Sequence, residues 1–133
     1  MSELPPPDSP KAWLVRARSD LALARAALTL PGVLLEDACF HTQQCAEKAL
    51  KALLLQRGIE FPYTHVVETL LDLLVAAGVE VPTELDEAVV LTQYAVQARY
   101  PGAWGPVTPT EAAFALRVAG WVLDWVEAQP GMA

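Results

Sequence analysis

Three groups of residues carry side chains that acid–base, metal or ligand chemistry could use. On one predicted helix His41, Cys45 and Lys48 share a border, and His41 and Cys45, four residues apart, could give a metal two ligands. A closed zinc site needs four. The only other histidine is His65, and there is no Glu-x-x-His pair of the di-iron bundle type. No metal or cofactor is therefore expected, and the plain reading has Cys45 filling the core while His41 covers its edge. The second group is Thr64-His65, at the start of another predicted helix. First-turn polar residues cap or face water, and nothing near His65 in sequence completes an acid–base pair. The third is Gln97-Ala98-Arg99-Tyr100-Pro101-Gly102. Helical spacing puts Arg99 on the bundle-facing side with Leu85, Thr92 and Val96, where a guanidinium must snorkel, pair with an acid or serve a site. Tyr100 adds a hydroxyl and a stacking face. Arg99, Tyr100, His41 and Lys48 are the ligand-binding candidates.

Proline and glycine mark the elements that would position these groups. A tail of residues 1–8 precedes a domain over 9–128, and residues 129–133 form a short end. The proline-rich tail reads as disordered. Ser9-Pro10 opens a first helix as N-cap and first-turn proline, and Trp13, Leu14, Ala17, Leu21, Ala24 and Leu28 recur at helical spacing until Pro31-Gly32. A second helix over residues 33–57 closes at Gly58, with Gln43, Gln44, Glu47, Lys48 and Lys51 on a polar side and Cys45, Ala46, Ala49, Leu50 and Leu53 on the other. Thr64 would cap a third helix over 65–77 that buries Val67, Leu70, Leu71 and Leu74 and stops at Gly78. A fourth helix should run unbroken from Pro82 to Arg99, burying Leu85, Val89, Thr92 and Val96 with Val90 and Tyr94 opposite. Thr108-Pro109-Thr110-Glu111 is a capping box for a fifth, along which Phe114, Val118, Trp121 and Trp125 line one face. The fold class is all-α: an antiparallel up-and-down four-helix bundle with an additional short helix.

Composition narrows the function classes. A chain of 133 residues makes one domain, and at 53% hydrophobic it is oilier than the average. Surplus apolar surface on the fourth and fifth helices points to a homodimer. No run near 20 residues is free of charge or proline, so no membrane span is expected. Cys39 and Cys45, roughly 240° apart around one helix, cannot pair with each other, which suits a reducing cytoplasm. Residues 1–66 hold seven Lys/Arg and seven Asp/Glu, whereas 67–133 hold two against nine, so the net charge of −7 lies in the second half. Non-specific nucleic-acid binding needs a basic surface, and there is none of size. A basic protein partner suits the acidic half better.

The segment Ala38-Cys39-Phe40-His41-Thr42-Gln43-Gln44-Cys45-Ala46-Glu47-Lys48-Ala49-Leu50-Lys51-Ala52-Leu53-Leu54 resembles the second-helix signature of the HEPN family. Arg57-Gly58-Ile59, Thr64-His65 and Arg99-Tyr100-Pro101 continue the resemblance in order, across about residues 10–128. It implies a dimeric helical bundle of the kind encoded beside a minimal nucleotidyltransferase and acting with it as a toxin–antitoxin pair. Many HEPN toxins are metal-independent ribonucleases whose signature, Arg-x4–6-His, meets its copy across the dimer. Here Arg99 has a counterpart but the histidine does not, because residues 104–106 are Trp104, Gly105 and Pro106. The resemblance then implies an interaction module that dimerises and binds a nucleotidyltransferase, with a nucleotide near Arg99. The alternative is a ribonuclease with a rearranged site, in which His41 or His65 joins Arg99. A stand-alone ligand-binding bundle is the weakest of the readings.

Overall fold

Ser9 starts the first helix as its spacing requires: its hydroxyl accepts from the Ala12 N–H at 3.1 Å and Pro10 takes the first turn. The structure is a computed structural model describing residues 8–99 and 105–132. The tail expected over residues 1–8 lies outside the described residues except for Asp8. Five α-helices run Pro10–Ala27 (α1), Leu35–Gln56 (α2), Val67–Ala76 (α3), Thr92–Arg99 (α4) and Pro109–Glu127 (α5). A 3₁₀ segment, Thr83–Leu91, leads into α4, and no strand occurs among the described residues.

The longest helix is the central one. Of its 22 residues 13 are buried, and α1, α4 and α5 pack around it, with α3 and the 3₁₀ segment closing one side. Ala38, Ala46, Ala49 and Ala52, none above 1% exposed, let the neighbouring helices approach its axis closely. Gly58 and Gly78 stop α2 and α3 with φ of 68° and 89°. The next N–H reaches back to Leu54 and to Leu74 respectively, closing both helices with the six-to-one bond of a Schellman turn. At the other end of the chain Thr108 caps α5, accepting from the Glu111 N–H at 3.1 Å.

Two expectations about these elements are corrected. The helix from Pro82 to Arg99 is not one α-helix: its first half winds as 3₁₀. Leu85, Ala88 and Leu91 are the buried residues of that half, a spacing of three that lies along one edge of a 3₁₀ helix and would spiral around an α-helix, and Tyr94 and Ala95 follow inside α4. Tyr94 is therefore inside at 4% exposure, its hydroxyl bonded to the Cys39 thiol, while Val90 and Val96 face out. Secondly, Thr64 does not cap α3. Its hydroxyl accepts from the Val66 N–H in a tight turn, and the first N–H of the helix, that of Val67, donates instead to Thr92 Oγ1 at 3.1 Å. The buried stripe of α5 is Ala112, Ala115, Val118, Ala119, Val122, Leu123 and Val126. Trp121 lies mostly outside it, with the Arg117 guanidinium over its ring and that of Phe114.

Candidate functional site

The side of α2 expected to face water is the most enclosed polar region of the chain. Gln43, Glu47 and Lys51, one turn apart, are 0%, 3% and 4% exposed. Burying a carboxylate and an ammonium costs several kcal/mol each unless both are paired and hydrogen-bonded, in order-of-magnitude terms. They are. Glu47 Oε2 takes a bond from Lys51 Nζ at 3.0 Å, and Oε1 takes one from Gln43 Nε2 at 2.9 Å. Gln43 also donates to the His65 carbonyl and accepts from Gln44, so its amide is fully used. The rings of Trp13, Phe61 and Tyr63 stand 5.7, 5.8 and 5.7 Å from Lys51 Nζ, wrapping the ammonium in aromatic faces. Among the described residues no buried side-chain nitrogen or oxygen lacks a hydrogen-bond partner.

Both histidines belong to arrangements of one design. His65 Nδ1 lies 2.8 Å from Glu47 Oε1, so the fold supplies the acid that its sequence neighbours lack. Across α2, His41 Nδ1 lies 2.9 Å from Oδ1 of Asp20, an α1 residue only 6% exposed, and Lys48 Nζ lies 2.7 Å from Oδ2. Each site is one buried carboxylate between an imidazole and a lysine. A carboxylate only accepts, so the shared hydrogen sits on Nδ1 and leaves Nε2 as the basic atom of the neutral ring. The expectation that His41 merely covers a core edge, and that His65 faces water without an acid, is thus corrected. Asp20, Glu47 and Lys51 are the residues that sequence reasoning missed. A weak signal existed for Asp20, which falls three residues after Ala17 and one before Leu21 on the buried stripe of α1.

Cys45 fills the core as expected. It and Cys39 are fully buried free thiols, pushed by burial up to about 12 and about 11. Neither is a nucleophile at neutral pH. Among the described residues no three His, Cys, Asp or Glu side chains converge as metal ligands would. Arg99 closes α4, but its side chain, Tyr100 and Trp104 lie outside the described residues. The Val67–Thr92 bond sets the start of α4 beside the start of α3. Arg99 is seven residues further on, about 10 Å along the axis at the usual helical rise. Within one chain, then, Arg99 and His65 are attached at opposite ends of α4.

These features define a small all-helical domain with a buried polar seam along its central helix. Residues 10–129 match the HEPN domain family, and the chain belongs to it. Two solved structures are similar over nearly their whole length. One is TT1696 from Thermus thermophilus, 40% identical with a TM-score of 0.76, covering 90% of this chain and 97% of that one. The other is ST0689, an archaeal HEPN homologue, 33% identical with a TM-score of 0.74, covering 91% and 97%. A candidate toxin of Methanocaldococcus jannaschii, MJ1304, is 42% identical over 57 residues, 43% of this chain. That match spans only 36% of the relative's length. No helix of the described residues is long and apolar enough to cross a membrane.

Proposed function

We propose that the chain is the HEPN member of a toxin–antitoxin type pair, a homodimeric interaction module that binds a minimal nucleotidyltransferase, with a nucleotide near Arg99. The observation that carries this reading is where the two histidines stand. Acid–base cleavage of RNA needs a titrating group within hydrogen-bond reach of the reacting oxygens, and arginine stays protonated and only stabilises charge. The window after Arg99 holds no histidine, and both histidines are tied elsewhere to buried carboxylates. Membership of the family and the likeness to a candidate toxin support the pairing. So does the exposed acidic surface of Glu68, Asp72, Glu80, Glu84, Asp86 and Glu87 on α3, the 3₁₀ segment and the connection between them, which suits a basic partner. Co-expression with the product of the neighbouring gene tests the reading: that product should be a nucleotidyltransferase and the two should co-purify at low salt, and failure to do so refutes it.

One observation favours a second reading, a metal-independent ribonuclease with a rearranged site. A carboxylate that accepts from Nδ1–H fixes the tautomer, with Nε2 as the basic atom of the ring, and both His41 and His65 are held this way. Purified protein incubated with single-stranded RNA without metal decides between them. Cleavage lost in Arg99→Ala and in either His41→Ala or His65→Ala would establish the enzyme.

A further inference from the structure

We propose that His41 and Lys48, braced by Asp20, form a binding site for a phosphate group that still carries a proton: inorganic phosphate or the protonated phosphoryl group of a small monoester. Asp20 is itself buried, and each of its oxygens is committed, one to each partner. That sharing holds the imidazole and the ammonium side by side on the half-buried strip of α2. Their side chains keep 31% and 21% exposure. The edge offers unlike groups: in the Nδ1–H form of the ring His41 Nε2 accepts, and Lys48 has two N–H donors left after its bond to Asp20. A ligand that matches both must donate a hydrogen and present an anionic oxygen beside it. Hydrogen phosphate does so on a single phosphorus, whereas sulfate has lost its protons at neutral pH and a carboxylate has no donor when charged.

Asp20 and Lys48 form one ion pair, and Glu127, the other acid whose field reaches the adjacent Cys45, is paired with Arg18. Phe40, edge-on to His41 at 5.4 Å between ring centres, and Gln44 continue the strip and give the organic part of a monoester something to lie against. A merely structural Asp20–Lys48 pair would need no imidazole; the histidine is what turns a neutralised carboxylate into a mixed donor–acceptor edge. The contrast with Glu47 is instructive, since Lys51 of that set is walled in by three rings and offers no free donor to solvent.

The test is a titration of the ¹⁵N-labelled protein at neutral pH with inorganic phosphate and, separately, with sulfate at matched ionic strength. With two histidines in the chain, His65→Gln assigns the ring signals. Phosphate should move the His41 Nε2 resonance saturably, and sulfate should bind about tenfold more weakly, the worth of one charge-assisted hydrogen bond. Lys48→Met should weaken phosphate binding by a similar factor. Should that variant fail to fold, the wild-type phosphate-against-sulfate comparison still decides. No saturable response of His41, or equal responses to the two anions, overturns the proposal.

Discussion

A lysine that is 4% exposed, as Lys51 is, stays charged in a folded chain only if its surroundings replace water. Glu47 and three aromatic faces do so here. Lys51→Met keeps the stem's volume but strands the Glu47 carboxylate in the interior with only His65 and Gln43 to donate to it. We expect it to cost about 3 kcal/mol, the range for breaking one side of a buried pair, read from urea unfolding. A loss under about 0.5 kcal/mol, the size of a surface change, would show the seam to be solvated. The buried thiols make a second prediction, of opposite dependence on conditions. Cys39 and Cys45 rise from 9.0 to about 11 and about 12, mainly by burial, so the folded chain holds their protons more tightly than the unfolded chain. Their contribution is complete below pH 9.0 and is lost as pH climbs through about 11 to 12. Melting temperature should therefore fall across that window, and a Cys39→Ala/Cys45→Ala double variant should fall less steeply. At this scale the sequence was least legible. Gln43, Glu47 and Lys51 have the types of a solvated helix face, and only the arrival of Trp13 from α1 and of Phe61, Tyr63 and His65 from the connection after α2 makes them interior.

Element by element, local signals were read where they were self-contained. The caps at Ser9 and Thr108, the stops at Gly58 and Gly78, and the stripe Val67, Leu70, Leu71, Leu74 each depend on neighbours within one or two turns. Where the partner is distant the reading failed. The start of α3 is satisfied by Thr92, 25 residues away, and no local pattern announces it. Likewise the three-residue spacing of Leu85, Ala88 and Leu91 fits an α-helix loosely and a 3₁₀ helix well. It was the packing against α5 and α3 that chose between them. Thr92→Val removes the acceptor while keeping the shape, and Val67 is fully buried, so its N–H is left unpaired. We expect a loss of about 2 kcal/mol, the penalty for an unsatisfied buried donor. Thr92→Ser, which restores the oxygen, should recover most of it. Equal stability of the Val and Ser variants would mean that the α3 N–H finds another partner.

At the scale of the whole molecule the question is what covers the surface that one chain leaves open. Tyr94, counted from the sequence as part of a dimer face, is interior and cannot serve. Val96 on α4, Val90 just before it and Trp121 on α5 remain, each 40–43% exposed, with Phe114 half-buried beside Arg117. Gly120 adds to this. A Cβ there would meet nothing within 4 Å, so packing inside the chain does not demand a glycine, which costs a helix interior about 1 kcal/mol relative to alanine. A second helix lying close against that turn would demand one. Light scattering at micromolar concentration should then give roughly twice 14.4 kDa. Trp121→Glu sets a charge in the middle of the face and should yield a folded monomer with an unchanged circular dichroism spectrum. The acidic surface on α3 and the 3₁₀ segment is separate from these residues in composition and should behave differently. Replacing Glu84, Asp86 and Glu87 with glutamine should leave the proposed dimer intact and slow association with the proposed nucleotidyltransferase partner more than it speeds dissociation. Added salt should do the same to the wild type, because the attraction acts over about 10 Å and is screened. A partner rate indifferent to both would place the contact elsewhere, and a wild type that scatters as a monomer would remove the apolar face from the assembly.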